Sequence, residues 1–195
     1  MTITREQFSE GLDADTYLAE KVEANRDRFL QNISEFELTD EDKAFFAENP
    51  ISVAAFGEDW CTDVVQFLPV MIKLSQEAPN VDLRIFERDD NMELMNPYLK
   101  EGKYASIPVF VVMDSEWNEQ GHFIERPAAV TQKMAEETVR FAKANPDLDG
   151  ANRSYENMPE ATRTAVRANS SNFRWSNAAE WNRIFIDELK ALAVS

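Results

Sequence analysis

The chain has 195 residues, 44% of them apolar and 11% aromatic, with only 5 Gly and 8 Pro. That composition excludes wholesale disorder and a collagen-like or low-complexity chain, and the length suffices for one domain whose core needs no disulfide or metal to hold it. Twenty basic against 36 acidic side chains give a formal charge of −16, which repels phosphate backbones and anionic membranes and argues against nucleic acid or a membrane surface as partner.

The first third reads as helical. Tyr17, Leu18, Val22, Phe29, Leu30 and Ile33 recur at helical spacing between Asp15 and Ile33. Thr39 followed by Asp40-Glu-Asp42 marks a helix start, and Asn49-Pro50 stops that helix. Ile51 to Phe56 is short, apolar and β-branched, a buried strand ended by Gly57. A helix opens at Cys61 and runs to Ala78, with Val64, Val65, Leu68, Met71, Ile72 and Leu74 as its apolar face. Val81 to Phe86 alternates and predicts a strand with one buried face, and Asn91 to Leu99 predicts a short helical piece interrupted by Pro97. Val109 to Met113 is a buried strand, paired as a hairpin with Gly121 to Glu125. Ala128 to Ala144 predicts a helix with Val130, Met134, Val139 and Phe141 inward. A polar linker, Asp147 to Tyr155, precedes a tail helix over roughly Asn177 to Leu192 that carries Trp181, Ile184, Phe185 and Leu189. From Ile51 the order is strand, helix, strand, helix, strand, strand, helix. This is an α/β pattern with a mixed sheet and helices on both faces.

Cys61 is the single cysteine and His122 the single histidine, so no intramolecular disulfide forms and no metal site built mainly of thiolates and imidazoles is possible. The start of the chain lacks the apolar core of a secretion signal and no stretch approaches a membrane span, so the expected compartment is the reducing cytoplasm. Glu58-Asp-Trp-Cys-Thr-Asp-Val64 lies between the buried strand and a helix N-terminus. Unpaired N–H groups and the helix dipole there favour a thiolate, the form of sulfur that attacks disulfides. The alternative is a buried cysteine that merely caps the helix. Glu58, Asp59 and Asp63 oppose the dipole if all three are exposed, although Asp63 also serves as a first-turn acid that steadies the helix itself. His122 falls on the hairpin, away from Cys61. Trp175, Trp181 and Phe185 mark either a partner groove or the packing face of the tail helix. The acid runs at 40–42 and 88–90 read as a helix start and a solvated turn rather than as metal ligands.

Three motifs in register carry a resemblance: Trp60-Cys61 after the first strand, Pro69 inside the following helix, and Ile107-Pro108 before the third strand. Together they resemble the thioredoxin superfamily over roughly 51–144. The resemblance implies a thioredoxin-like α/β fold and an active sulfur at Cys61 surrounded by Trp60, Thr62, Asp63, Val64, Ile107 and Pro108. It also implies a cis bond at Ile107-Pro108, whose preceding backbone pairs with a bound substrate strand. Glu58-Asp-Trp-Cys-x-Asp, Arg88-Asp89 with Glu93-Leu-Met95, and Ser106-Ile-Pro108 resemble more narrowly an uncharacterised group of bacterial thioredoxin-like proteins with a Trp-Cys-Gly-Asp type motif, where this chain has Thr62 for Gly.

Two departures matter. Val64 stands where thioredoxins carry the resolving cysteine, and Ala55 stands where they carry a buried acid. A dithiol cycle therefore cannot run within this chain. The function expected from the resemblance is monothiol thiol–disulfide exchange through Cys61, resolved by an external thiol, with a protein or low-molecular-weight thiol or disulfide as partner and no cofactor. The alternative is a redox-inert binding or chaperone-like domain on the same fold. The expected organisation is a helical extension over 1–50, the thioredoxin-like core over 51–145, and a linker and C-terminal helical extension over 146–195 packed on the same unit.

Overall fold

A computed structural model describes residues 3–195. The chain divides into two compact units, one formed by residues up to Pro127 together with Phe185–Ser195, the other by Ala128–Ile184.

The first unit begins with α1 (Arg5–Ser9), α2 (Ala14–Glu20), α3 (Arg26–Glu35) and α4 (Asp40–Glu48). Thr39 caps α4 reciprocally with Asp42: its hydroxyl accepts from the Asp42 N–H, and the Asp42 carboxylate accepts from the Thr39 N–H. The helical periodicity from Asp15 to Ile33 is divided between two helices, α2 and α3. Between them Val22 is buried, and the backbone N–H groups of Glu23 and Ala24 both donate to the Asp59 carboxylate, 2.7 and 2.6 Å away. A connection held from 35 residues downstream leaves no mark in the local pattern.

The sheet follows: β1 (Ile51–Gly57), α5 (Thr62–Glu77), β2 (Val81–Glu87), α6 (Met92–Met95) with a 3₁₀ turn over Asn96–Tyr98, then β3 (Val109–Met113) and β4 (Glu119–Ile124). Its order is β2-β1-β3-β4, with β1 and β2 parallel and the other pairs antiparallel. The parallel pair requires a crossover, which α5 provides. Leu12 forms a two-way backbone bridge to Ile85 on the outer side of β2.

Helix α5 is buried nearly all round, Phe67 and Val70 included, rather than along the one face its spacing predicts. The sheet covers one side, α3 another, and Phe67 meets the ring of Phe185 at 5.4 Å. Pro69 removes the N–H that would bond the Val65 carbonyl. Asn32 of α3, 5% exposed, donates its side-chain amide to that carbonyl at 2.7 Å. Phe185 also meets Phe110 and Phe123, at 5.1 and 5.5 Å.

The second unit contains α7 (Ala128–Ala144), α8 (Glu160–Ser176) and the first turns of α9 (Ala178–Ala193). Val130 of α7 is buried as predicted, Met134 and Phe141 are half-buried, and Val139 is 54% exposed. Glu137 takes the inward place instead, paired with Arg140 and accepting from Asn169 of α8. That charge-assisted set substitutes for an apolar contact, which is why the periodicity misplaces the face. Trp181, edge-on to Phe173 at 5.5 Å, and Phe185 are both buried, so these two are packing residues rather than an open groove. No helix among the described residues is long and apolar enough to cross a membrane.

Candidate functional site

Strand β1 ends at Gly57 and α5 starts after Cys61, so residues 58–61 form a tight loop at the carboxyl end of a central strand. The Cys61 N–H donates to the Glu58 carbonyl at 3.1 Å, and the Cys61 carbonyl accepts the first helical bond from Val65 at 2.9 Å. Cys61 is therefore the N-cap of α5, and the residue is partly exposed. Its Sγ donates to the Ile107 carbonyl at 3.5 Å. The Ile107–Pro108 peptide bond is cis, and both residues are buried. The fold thus brings Cys61, Ile107 and Pro108 together from segments 46 residues apart in sequence.

Trp60 stands 54% exposed beside the sulfur-bearing residue, with the Arg88 guanidinium 5.3 Å from its ring centroid. Thr62 is exposed. Val64 is fully buried and packs so closely on Gly57 that a Cβ there would meet Val64 Cγ1 at 2.9 Å. Ala55 is buried in mid-strand between Ile85 and Phe110, so the strand behind the loop offers no proton acceptor at that point.

The acids around Cys61 read in sequence as exposed like charges, and the structure engages each of them. Asp59 accepts the two N–H groups at the end of the α2–α3 connection, and its carbonyl accepts from the Asn25 side chain at 2.7 Å. Asp63, 8% exposed in the first turn of α5, forms an ion pair with Arg126 at 2.6 Å. Glu58 accepts from the Asp89 N–H at 3.0 Å. Burial pushes the Glu58 carboxyl above its ordinary range, against the lowering effect of that N–H and of Arg88.

Two cations that the sequence left unassigned shape the site. Arg88 donates to Asp89 at 2.8 Å and to the Ala105 carbonyl at 3.2 Å. It thereby ties the turn after β2 to the segment that leads into Pro108. Arg126 reaches Asp63 from just beyond β4. Its neighbour Glu125 donates its N–H to the Pro108 carbonyl at 2.7 Å, and the Glu125 carboxylate accepts from Lys100 at 2.7 Å. Burial works to raise the Glu125 carboxyl, but Lys100, Ser106 and Arg126 hold it below the usual carboxylate range. Arg126 carries no local motif, since its partner is 63 residues away; Arg88 stands in a motif but reads there as part of a solvated turn.

His122 lies on β4 opposite Val111, edge-on to Tyr98 and 3.2 Å from Glu119. Asp42 caps its helix and pairs with Lys190 of α9. Among the described residues no three His, Cys, Asp or Glu side chains are grouped to hold a metal ion.

A family model described as thioredoxin matches residues 11–140. No curated protein matches the sequence. Among solved structures, a protein of unknown function from Pseudomonas aeruginosa superposes with a TM-score of 0.59 at 18% identity, over 90% of this chain and 99% of that one. An HIV epitope scaffold superposes with a TM-score of 0.60, also at 18% identity, over 96% of this chain and 94% of that one. Both are likenesses of fold. With the β2-β1-β3-β4 sheet, the crossover helix and the family match spanning most of the first unit, the chain belongs to the thioredoxin family.

Proposed function

We propose that the protein carries out monothiol thiol–disulfide exchange through Cys61. The observation that carries this reading is a partly exposed cysteine at the N-terminus of α5, its Sγ 3.5 Å from the carbonyl that precedes Pro108. Helix N-termini favour the anionic sulfur that attacks a disulfide. In the first step the Cys61 thiolate attacks one sulfur of RS–SR. The S–S bond breaks, a Cys61–S–S–R adduct forms, and RS⁻ leaves. An external thiolate R′S⁻ then attacks the R sulfur, releasing R′S–SR and restoring the Cys61 thiolate. A reducing compartment, the cytoplasm, supplies that thiol, and the partner is a protein or a low-molecular-weight thiol or disulfide. The buried Val64 and Ala55 support an external resolving thiol over an internal one.

The test is intact-mass spectrometry of the native chain after exposure to oxidised glutathione. One adduct per chain is expected, removed by added thiol and absent from Cys61→Ser, whose fold should persist because Ser serves well at an N-cap. No insulin-type dithiol turnover is expected. If Cys61 reacts only after denaturation, the redox reading falls. The half-exposed Trp60 then favours a binding domain on the same fold.

A further inference from the structure

Three segments of the chain meet beside the sulfur, and Arg88 touches each of them. It stands in the turn after β2. Its Nε–H donates to the Asp89 carboxylate at 2.8 Å, and Nη2 lies 2.7 Å from the same oxygen. Nη1 donates to the Ala105 carbonyl at 3.2 Å, two residues before the carbonyl that meets Sγ. The guanidinium carbon lies 5.3 Å from the centroid of the Trp60 ring, one residue before Cys61.

Both sides of the sulfur depend on such an outside hold. Trp60 is 54% exposed, and its indole N–H has no acceptor among the described residues, so the guanidinium is the polar contact that sets the angle of the ring. Residues 105–107 belong to no helix or strand, so no ladder holds them. Asp89 adds a second tie, its N–H donating to Glu58 of the cysteine loop at 3.0 Å. Arg88 and Asp89 oppose each other in charge, and they act in opposite directions on the Glu58 carboxyl. Placement, rather than acidity, is therefore what the arginine contributes to the sulfur.

We infer that Arg88 is a positioning residue for exchange at Cys61: it fixes Trp60 and the segment before Pro108 as the two sides against which an incoming disulfide lines up with the sulfur. This rests on the exchange reading above and supplies its geometry. A disulfide must present its S–S bond along the line of attack, and fixed walls provide that orientation. Iodoacetamide, small and neutral, reaches the sulfur without them.

The test compares two rates on the full chain, native and Arg88→Ala: alkylation of Cys61 by iodoacetamide, and adduct formation with oxidised glutathione read by intact mass. Arg88→Ala should slow the adduct about tenfold and alkylation less than about twofold. The deficit should persist in about 0.5 M NaCl, where attraction of an anionic disulfide by a cation is screened. Arg88→Lys keeps the charge but not the fork that reaches both sides, and should lose about threefold. If Arg88→Ala does not fold, Arg88→Lys carries the same comparison. Acrylamide quenching gives a readout that needs no disulfide. Trp60 emission, taken in each background by difference from its Trp60→Phe counterpart, should become more quenchable in the Arg88 variants. Equal slowing of both reactions, an unchanged adduct rate, a deficit that salt removes, or unchanged quenching overturns the inference. A native chain that is alkylated but takes no adduct would remove the exchange reading, while the quenching comparison still decides whether Arg88 places Trp60.

Discussion

Pro69 is the residue whose consequences reach furthest for its size. It deprives the Val65 carbonyl of its helical donor, and Asn32 supplies one from another helix. Asn32→Leu should lower unfolding free energy by about 1–3 kcal/mol, the range for stranding a buried acceptor. In a Pro69→Ala background the same change should do less, because that substitution brings back the missing N–H; paired denaturant titrations read the difference. Glu58 gives a pH signature. Burial raises its carboxyl in the folded state, so its stability contribution is full below the unfolded value and is lost as pH rises through the folded one. Glu58→Gln, which keeps an acceptor for the Asp89 N–H, should melt higher than the native chain at pH 7 and equally below about pH 4. At this scale the sequence named Cys61, Trp60, Val64, Ile107 and Pro108 through contiguous motifs. It could not name Asn32 or Arg126, whose meaning lies in partners 33 and 63 residues away.

Among the elements, those with strong local signals were legible. Strand β3 has the expected limits, and α4 begins at its capping box. Helix α8 was not, because Asn169, Ser170, Ser171 and Asn172 crowd its middle with residues that disfavour helix interiors. Its support is tertiary, Asn169 bonding Glu137 and Thr162 donating to the Asp149 carbonyl at 2.7 Å. The last turns of α9 belong to the first unit through Phe185, 1% exposed among Phe67, Phe110 and Phe123. Phe185→Ala should therefore destabilise by about 3–5 kcal/mol, the loss typical of a buried ring. A drop under about 1 kcal/mol by chemical denaturation would mean that the helix end is not part of that core.

On the scale of the whole molecule, the N-terminal segment completes a sheet that the family motifs leave unfinished. Strand β2 is outermost in the order β2-β1-β3-β4, and the Leu12–Ile85 bridge occupies part of its outer side. Gly11 allows this, since a Cβ there would stand 2.7 Å from the Phe86 ring and 2.8 Å from Arg84 Cβ. An uncovered outer strand is a template on which another chain can add its own backbone, the common route to unwanted assembly. The stretch around Gly11 and Leu12 thus acts as a built-in stopper against polymer growth from β2. Gly11→Val should pull it out, and the variant should show concentration-dependent light scattering at temperatures where the native chain shows none.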